Sequence, residues 1–374
     1  MLARAQIAGL VLICAACAPS TPLTVPSDAG ATTTTPIPLP DRQSLTVFDA
    51  ARISSASGDP NFQELSADLD LSGGPYSGAT LVVDLGTTCV PFSSWADDPP
   101  PQGQNWPADC DAFDRNFEIS LDGAEPSDAG VSANADPGLE LVRAITPFGG
   151  PLHLERDLTT VANGFSGTHR IHAKIDTYSD AKGLVTGSAA GWSVSLKVEL
   201  TRGAAPRHPL AVVPLFYGDL TSADPVSASF TVPDGTSDGF FEYRTTGHGQ
   251  AAGDLTSCSG PAEEFCRRQH TLTLDGITLK TFTPWRTCAA GCTLAKTEGD
   301  AGVDYCTENP CGAVASVKAS RANWCPGSES PPITIDTPEL ATAGDHRVSW
   351  QVSQIASGGI VRVSLTYYAF GDSL

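Results

Sequence analysis

The sequence is poor in charged side chains, and basic ones are the scarcest. Charged residues make up 17% of its 374 residues, and 22 Lys and Arg stand against 42 Asp and Glu, which gives a net charge of −20. Non-specific nucleic-acid binding requires a positive surface, so this function is excluded. There is one Met, and the enrichment in Ala, Glu, Lys, Leu and Arg that is typical of coiled coils and helical bundles is missing.

Long apolar runs are missing too, apart from one short run near the N-terminus. Ile7 to Cys14 follows Arg4 and is too short to span a bilayer, which is typical of an export signal. We therefore expect an exported protein, located in a bacterial cell envelope or secreted, with a signal peptide over 1–17 and no later membrane span.

The end of this signal resembles a bacterial lipoprotein box. Small residues precede Cys17, which would be lipidated after cleavage and would provide the protein's one membrane attachment. An ordinary signal peptide cleaved after Ala16 or Ala18 is the alternative. Residues 18–43, rich in Thr and Pro, are expected to form a disordered spacer.

Turn-forming residues and alternating apolar positions dominate the rest of the chain. The 36 Gly and 29 Pro separate short segments in which every second residue is apolar, which predicts half-buried strands in an all-β fold. The chain length suggests two domains. Thr201 to Pro209 interrupts two strand patterns, so we expect domains over 44–203 and 209–374. The clearest alternating segments are 81–85, 117–121, 192–200, 230–232, 272–274 and 361–367.

Cysteine usage agrees with export. Two neighbouring pairs, Cys89 with Cys110 and Cys258 with Cys266, are expected to form disulfides. The pairing of the last five cysteines stays open, and a zinc site is a competing interpretation of their spacing. These five are Cys288, Cys292, Cys306, Cys311 and Cys325.

Four segments carry candidate functional side chains. Each has a plainer interpretation: a turn carboxylate, a charged strand edge, a loop His or a core Trp. The segments are Cys110-Asp-Ala-Phe-Asp-Arg115, Glu263-Glu-Phe-Cys-Arg-Arg-Gln-His270, Arg244-Thr-Thr-Gly-His-Gly249 and Arg321-Ala-Asn-Trp-Cys-Pro-Gly327.

In their order along the chain, the four segments resemble the bacterial peptide-N-glycosidase F family, whose members remove N-linked glycans from asparagine. Thr146-Pro147 and Val212-Val213-Pro214 resemble further family segments, so the resemblance covers most of 44–374. It implies an all-β fold of two adjacent eight-stranded antiparallel jelly-roll domains, with the active site between them.

The resemblance also implies a hydrolase that cleaves the amide between the first N-acetylglucosamine and asparagine, giving aspartate and a glycosylamine, without a metal or cofactor. Its substrates would be N-glycosylated peptides or glycoproteins, and we expect a monomer. The residues alone do not distinguish this from glycosidic cleavage, which also uses two carboxylates. The catalytic residues carried over are Asp114, Glu264 and Arg115; the substrate-binding residues are Asp176, Tyr178, Gly247, His248, Arg321 and Trp324.

The sequence departs from the family in several aromatic positions. Family tryptophans are replaced by Phe113, Phe265 and Thr246, while Asp176 and Tyr178 stand for a Glu and a Trp. An insertion at 90–109, with Trp95 and Trp106, adds aromatic surface near Cys110. The loss of the family tryptophans favours the alternative of a non-catalytic glycan- or protein-binding surface lipoprotein. A copper monooxygenase is a weaker alternative, since only His169 and His172 lie close together.

Overall fold

The fold was examined in a computed structural model. It describes residues 41–55, 61–87, 111–123, 137–178, 190–249, 257–296, 302, 304–337 and 342–372. The predicted signal, most of the spacer, the 90–109 insertion and the Cys89–Cys110 pair lie outside these ranges. Arg42 and Gln43, which we expected in the spacer, lie in the first strand.

The first half of the chain is built almost entirely of strands, with one short helix, α1 (Thr159–Gly164). The strands are β1 (Arg42–Ser54), β2 (Glu64–Asp70), β3 (Tyr76–Thr87), β4 (Asn116–Leu121), β5 (Leu139–Ile145), β6 (Leu152–Asp157), β7 (Thr168–Ile175) and β8 (Gly191–Arg202).

The second half has the same character, with the short helix α2 (Val314–Lys318). Its strands are β9 (His208–Leu220), β10 (Val226–Val232), β11 (Asp238–His248), β12 (His270–Leu274), β13 (Ile277–Phe282), β14 (Leu294–Lys296), β15 (Asp304–Cys306), β16 (Ser328–Glu329), β17 (Ile333–Asp336), β18 (Gly344–Val352) and β19 (Ile360–Gly371). The prediction of an all-β fold is confirmed.

Apart from the two-stranded sheet of β14 and β15, the strands form two pairs of antiparallel sheets. The first pair has the strand orders β1-β8-β3-β6 and β16-β5-β4-β7-β2, and the second pair has β17-β11-β19-β9 and β10-β18-β12-β13. Most consecutive strands alternate between the two sheets of a pair, and the arrangement as two eight-stranded jelly rolls stays a prediction. The residues from Pro40 onward form one compact unit, and the division into domains at 203 and 209 stays a prediction.

Burial follows the period-two alternation from which the strands were predicted. On β8, the side chains of Trp192, Val194, Leu196, Val198 and Leu200 are at most 2% exposed, while the intervening residues are half-buried or exposed. These side chains join a core cluster to which both sheets of the first pair contribute. A second cluster fills the space between the sheets of the second pair.

A buried ionic network joins β4 and β5 to the second half of the chain. Glu118 on β4 accepts hydrogen bonds of 2.9 and 2.7 Å from Arg362 on β19, and Arg143 on β5 donates to the Arg362 carbonyl at 2.7 Å. All three side chains are buried. Removing one partner of such a pair costs about 3–5 kcal/mol, so the network holds these strands in one relative position.

Three disulfides lie within the described ranges. The predicted Cys258–Cys266 bond is present, and the late cysteines pair as Cys288–Cys325 and Cys292–Cys306. Cys311 is buried and has no disulfide partner among the described residues. The zinc interpretation therefore does not hold for Cys288, Cys292, Cys306 and Cys325, whose sulfur atoms are bonded to each other.

Candidate active site

The candidate site lies at one end of β5, where two distant segments meet. β4 begins at Asn116, directly after Asp114 and Arg115, and Asn116 pairs with Ile145 at the end of β5. β16, which follows the Arg321–Gly327 segment, pairs with the same residue through Ser328. Strand pairing therefore brings the first and fourth candidate segments together.

Thr146, the residue after β5, holds the Asp114 loop from both sides. Its hydroxyl accepts a hydrogen bond from the Arg115 amide at 2.8 Å and donates one to the Phe113 carbonyl at 3.1 Å. Its own amide donates to the Arg115 carbonyl at 2.9 Å. Thr146 is fully buried, so Asp114 is placed by a rigid support rather than by a free loop.

Glu264 is placed by a 3-10 turn, Glu263–Phe265, which the Cys258–Cys266 disulfide closes. The Glu264 carbonyl accepts a hydrogen bond from the Ala322 amide at 2.7 Å. Glu263, its neighbour, is fully buried and bonds Arg268 at 2.6 and 3.0 Å. The two adjacent glutamates therefore have different environments, since only Glu264 faces the site.

Arg321 lies between the two candidate carboxylates. Its Nη2 is 3.7 Å from Oδ2 of Asp114, and its Nε is 3.6 Å from Oε1 of Glu264. The Arg321 side chain is 1% exposed, whereas those of Asp114 and Glu264 are 19% and 22% exposed. The cation is thus buried beneath two carboxylates that solvent and a ligand can reach.

The Arg321 guanidinium is itself held in place. Its Nη1 donates to the carbonyls of Ser316 and Ala319 at 2.7 and 3.0 Å. The ring of Phe265 lies 5.2 Å from the guanidinium and that of Trp324 lies 4.6 Å away. A planar cation fixed by hydrogen bonds and aromatic faces offers a constant geometry to its carboxylate partners.

Both carboxyl groups titrate above their usual range. Burial, together with the negative charge of Glu264, raises the pKa of Asp114 to about 7, although Arg321 acts in the opposite direction. Burial also raises the pKa of Glu264, again against the effect of Arg321. A carboxyl group that titrates near neutral pH, as Asp114 does, can exchange protons with a substrate there, which is the property that general acid–base catalysis needs.

Arg115 belongs to a second part of the site, formed with Asp111, Phe113 and Tyr178. It binds Asp111, with Nε 3.1 Å from both carboxylate oxygens. Its guanidinium lies 4.8 Å from the Phe113 ring and 4.3 Å from the ring of Tyr178, which is 44% exposed. The predicted residues Arg115 and Tyr178 are therefore in contact, and Asp111 is a partner that the sequence analysis had not identified.

Asp176 lies at the same end of the sheet but is not part of the carboxylate pair. Its amide donates to the Asn116 carbonyl at 3.3 Å, and Lys174 Nζ is 3.6 Å from its Oδ1. Burial raises the pKa of Asp176. Asp176 therefore lies beside Asn116, the first residue of β4, which follows Asp114 by two residues in the chain.

Gly247, His248 and Trp324 form the interior side of the site. Trp324 is 2% exposed and donates to the Gly247 carbonyl at 2.8 Å, and the His248 ring stacks on it at 5.6 Å. A side chain on Gly247 would meet Ala322 at 2.9 Å. In this structure Trp324 is thus a packing partner of Arg321 and His248, and its ring is not open to a sugar.

The two histidines considered for copper do not form a site. They lie three residues apart on β7, so their side chains project from opposite faces of the sheet. His169 Nδ1 lies 2.6 Å from Asp122, and His172 Nδ1 lies 2.5 Å from Glu64. Among the described residues, no group of three or more His, Cys, Asp and Glu side chains is arranged to hold a metal ion. No helix within the described ranges is long and apolar enough to cross a membrane.

Comparison with known proteins places this site in context. Residues 216–366 match the family model of the C-terminal part of peptide-N-glycosidase F. No curated protein sequence matches the chain.

Solved structures extend the comparison to the whole fold. The structure of PNGase F, a glycosylasparaginase from Flavobacterium meningosepticum, is similar with a TM-score of 0.61 and 16% identity, over 89% of this chain and 97% of that chain. A PNGF-II structure has a TM-score of 0.59 and 17% identity, over 89% of this chain, which spans 66% of the PNGF-II chain. At these identities the structural similarity shows a shared fold, and together with the match of residues 216–366 it confirms the resemblance to the peptide-N-glycosidase F family that was found in the sequence.

Proposed function

We propose that the protein is an N-glycan amidase that hydrolyses the bond between the first N-acetylglucosamine and the asparagine side chain. One observation carries the proposal: the two carboxylates from the family-like segments, Asp114 and Glu264, share one buried cation, Arg321. The shared fold and the match of residues 216–366 to the family model support it.

Amide hydrolysis needs a base for water and a proton for the leaving nitrogen. In our mechanism Asp114 takes a proton from a water molecule whose oxygen attacks the amide carbon. Glu264, which holds the single proton of the pair when Asp114 is ionised, polarises the amide and delivers that proton to its nitrogen as the carbon–nitrogen bond breaks. The water is thereby added across the bond, and the products are an aspartate side chain and a glycosylamine.

The charges of the site suit these two roles. Two coupled carboxyl groups titrate as a pair, and because the pKa of Asp114 is about 7, the pair holds a proton over most of the pH range below that value. Arg321 stabilises the negative charge that remains. Arg115, Asp176, Tyr178, Gly247 and His248 are proposed to shape the substrate site around the pair, and Trp324 to support Arg321 and His248.

Incubation of the full-length protein with a denatured N-glycoprotein tests the proposal. We expect free glycan and the mass change of asparagine to aspartate. The matched control is Asp114→Asn, which should lower the rate by about 10²–10⁴-fold because an amide cannot act as the base. Glycan that is bound but not released would support the binding-protein alternative, and release at equal rates by both proteins would contradict the role of Asp114.

Export stays part of the proposal. The three disulfides agree with an oxidising compartment. Lipidation at Cys17, the monomeric state and the role of the 90–109 insertion stay predictions, since no described residue bears on them.

A further inference from the structure

An open groove lies directly beside the candidate carboxylate pair. We name it the Trp285 groove; its volume is about 750 Å³, within the range of about 300–1,000 Å³ that is usual for small-molecule sites. Phe265 forms the wall next to the site, because it follows Glu264 in the chain and its ring lies 5.2 Å from the Arg321 guanidinium. The main lining residues are Cys258, Gly260, Pro261, Phe265, Arg267 and Trp285.

The wall that carries Arg267 is rigid. The Arg267 amide donates to the Ser257 carbonyl at 2.9 Å, and the Ser259 amide donates to the Phe265 carbonyl at 2.9 Å. The Cys258–Cys266 disulfide lies between these two bonds. A ligand in the groove would therefore meet preformed contacts, which lowers the entropic cost of binding.

The groove carries positive charge in an acidic protein. Arg267 is exposed, its guanidinium lies 4.8 Å from the Trp285 ring, and it forms no ion pair with a described residue. None of the side chains that line the groove is acidic, although the chain has 42 Asp and Glu. A guanidinium stacked on an aromatic ring keeps its N–H donors free for acceptors at its edge.

Aromatic faces beside fixed hydrogen-bond donors match the chemistry of a sugar. A hexose ring has an apolar face of C–H groups and a rim of hydroxyl oxygens. Trp285 and Phe265 offer surface to the face, while Arg267 and the hydroxyl-bearing residues Ser257, Ser259 and Ser320 line the groove where the rim would lie.

The part of the substrate that would reach this groove follows from the proposed mechanism. Glu264 donates its proton to the leaving nitrogen, and that nitrogen stays with the sugar. The groove adjoins Glu264, so it lies on the glycan side of the cleaved bond. The sugars nearest the amide lie at the carboxylate pair, and those further along the oligosaccharide extend into the groove.

We propose that the Trp285 groove binds hexose residues of the glycan beyond the first two sugars, through Arg267 and Trp285. This inference rests on the proposed amidase function. Because of the groove, the protein should cleave longer glycans in preference to shorter ones, a preference that Asp114 and Glu264 alone would not give.

The test uses one peptide that carries either two N-acetylglucosamine residues or these two with three mannose residues attached. Arg267→Ala and Trp285→Phe should lower kcat/KM for the five-sugar substrate about tenfold, as expected for the loss of one favourable contact. The two-sugar substrate should be cleaved at the wild-type rate. Arg207→Ala, which removes another arginine stacked on an aromatic ring (Phe370, 3.3 Å), is the matched control and should change neither.

Equal losses on both substrates, or no loss on either, would overturn the groove proposal. If the loss in the two variants changed instead when the same five sugars were placed on a longer peptide, the groove would belong to the peptide, and this would overturn the proposal too. Binding of the free five-sugar glycan to the full-length protein, measured by calorimetry, separates the two proposals. Binding that Arg267→Ala abolishes, without cleavage, would support the groove and contradict the amidase; cleavage without glycan-length dependence would do the reverse.

Discussion

Arg321 Nη2 lies 3.7 Å from Oδ2 of Asp114. The arginine is buried and hydrogen-bonded to two main-chain carbonyls, so it cannot follow the carboxylate into solvent. Asp114 thus keeps a nearby cation while remaining accessible to a ligand. The balance between this cation, the neighbouring Glu264 and burial determines the protonation of the site, and the first prediction follows from it.

The activity should fall as the pH rises and the carboxyl pair loses its proton. The pKa of Asp114 is about 7, and above that pH neither carboxyl group holds the proton that Glu264 delivers, so kcat/KM should decrease through about pH 7. Glu264→Gln removes the negative charge that raises this pKa, so its residual activity should lack the transition near pH 7. Asp68→Asn, an exposed carboxylate paired with Arg170, is the control and should keep the transition. A transition near pH 7 that Glu264→Gln retains would contradict the coupling.

The same pKa makes Asp114 a cost to stability at neutral pH. When the pKa of a carboxyl group is raised in the folded state, the folded protein loses stability as the pH rises from the pKa of the unfolded state, about 3.9, to that of the folded state, about 7. Asp114→Asn keeps the shape without the charge. Its free energy of unfolding should therefore exceed that of the wild type, and the difference should widen between pH 4 and 7. Urea titrations at several pH values measure this, and a difference that is independent of pH would contradict the buried, raised carboxyl group.

Breaking the Cys258–Cys266 disulfide should lower the activity, whereas a chelator should leave the activity unchanged. The Cys258–Cys266 disulfide closes the turn that places Glu264, and losing a native disulfide commonly costs about 2–5 kcal/mol. The double variant Cys258→Ser/Cys266→Ser should lower kcat, whereas Cys292→Ser/Cys306→Ser should lower the melting temperature and leave the kinetics of the folded fraction unchanged. EDTA should not change the activity. Inhibition by EDTA that zinc reverses would show a metal requirement and overturn this prediction.

His248 should stay neutral over the working pH range. Burial, with the positive charge of Arg143, lowers its pKa to about 3, and its Nε2 lies 2.7 Å from the Thr246 hydroxyl. NMR titration should show no change of His248 between pH 5 and 9. His153, exposed and bonded to Asp84, has a pKa above the usual value and serves as the internal control. A transition of His248 near pH 6.5 would show that the ring is solvated and available for proton transfer.

Local patterns in the sequence were sufficient for six of the nineteen strands and for one disulfide. Alternation of apolar residues predicted β8 and its buried face, because side chains on a strand point to opposite sides in turn. Cys258 and Cys266 were paired correctly because they are close neighbours in an oxidising context. The family segments also identified Asp114, Glu264 and Arg321 as candidates.

The assembly of those residues was decided by tertiary structure. Arg321 reaches Asp114 only because β16 and β4 both pair with the end of β5, a contact between segments that are distant in the chain and that no local pattern encodes. The burial of Trp324 beneath His248, the support of the Asp114 loop by Thr146 and the pairing of the late cysteines have the same origin. The sequence by itself determined which side chains form strands and which carry charge, whereas packing between distant strands determined which charges share one cation and which aromatic rings remain open to a ligand.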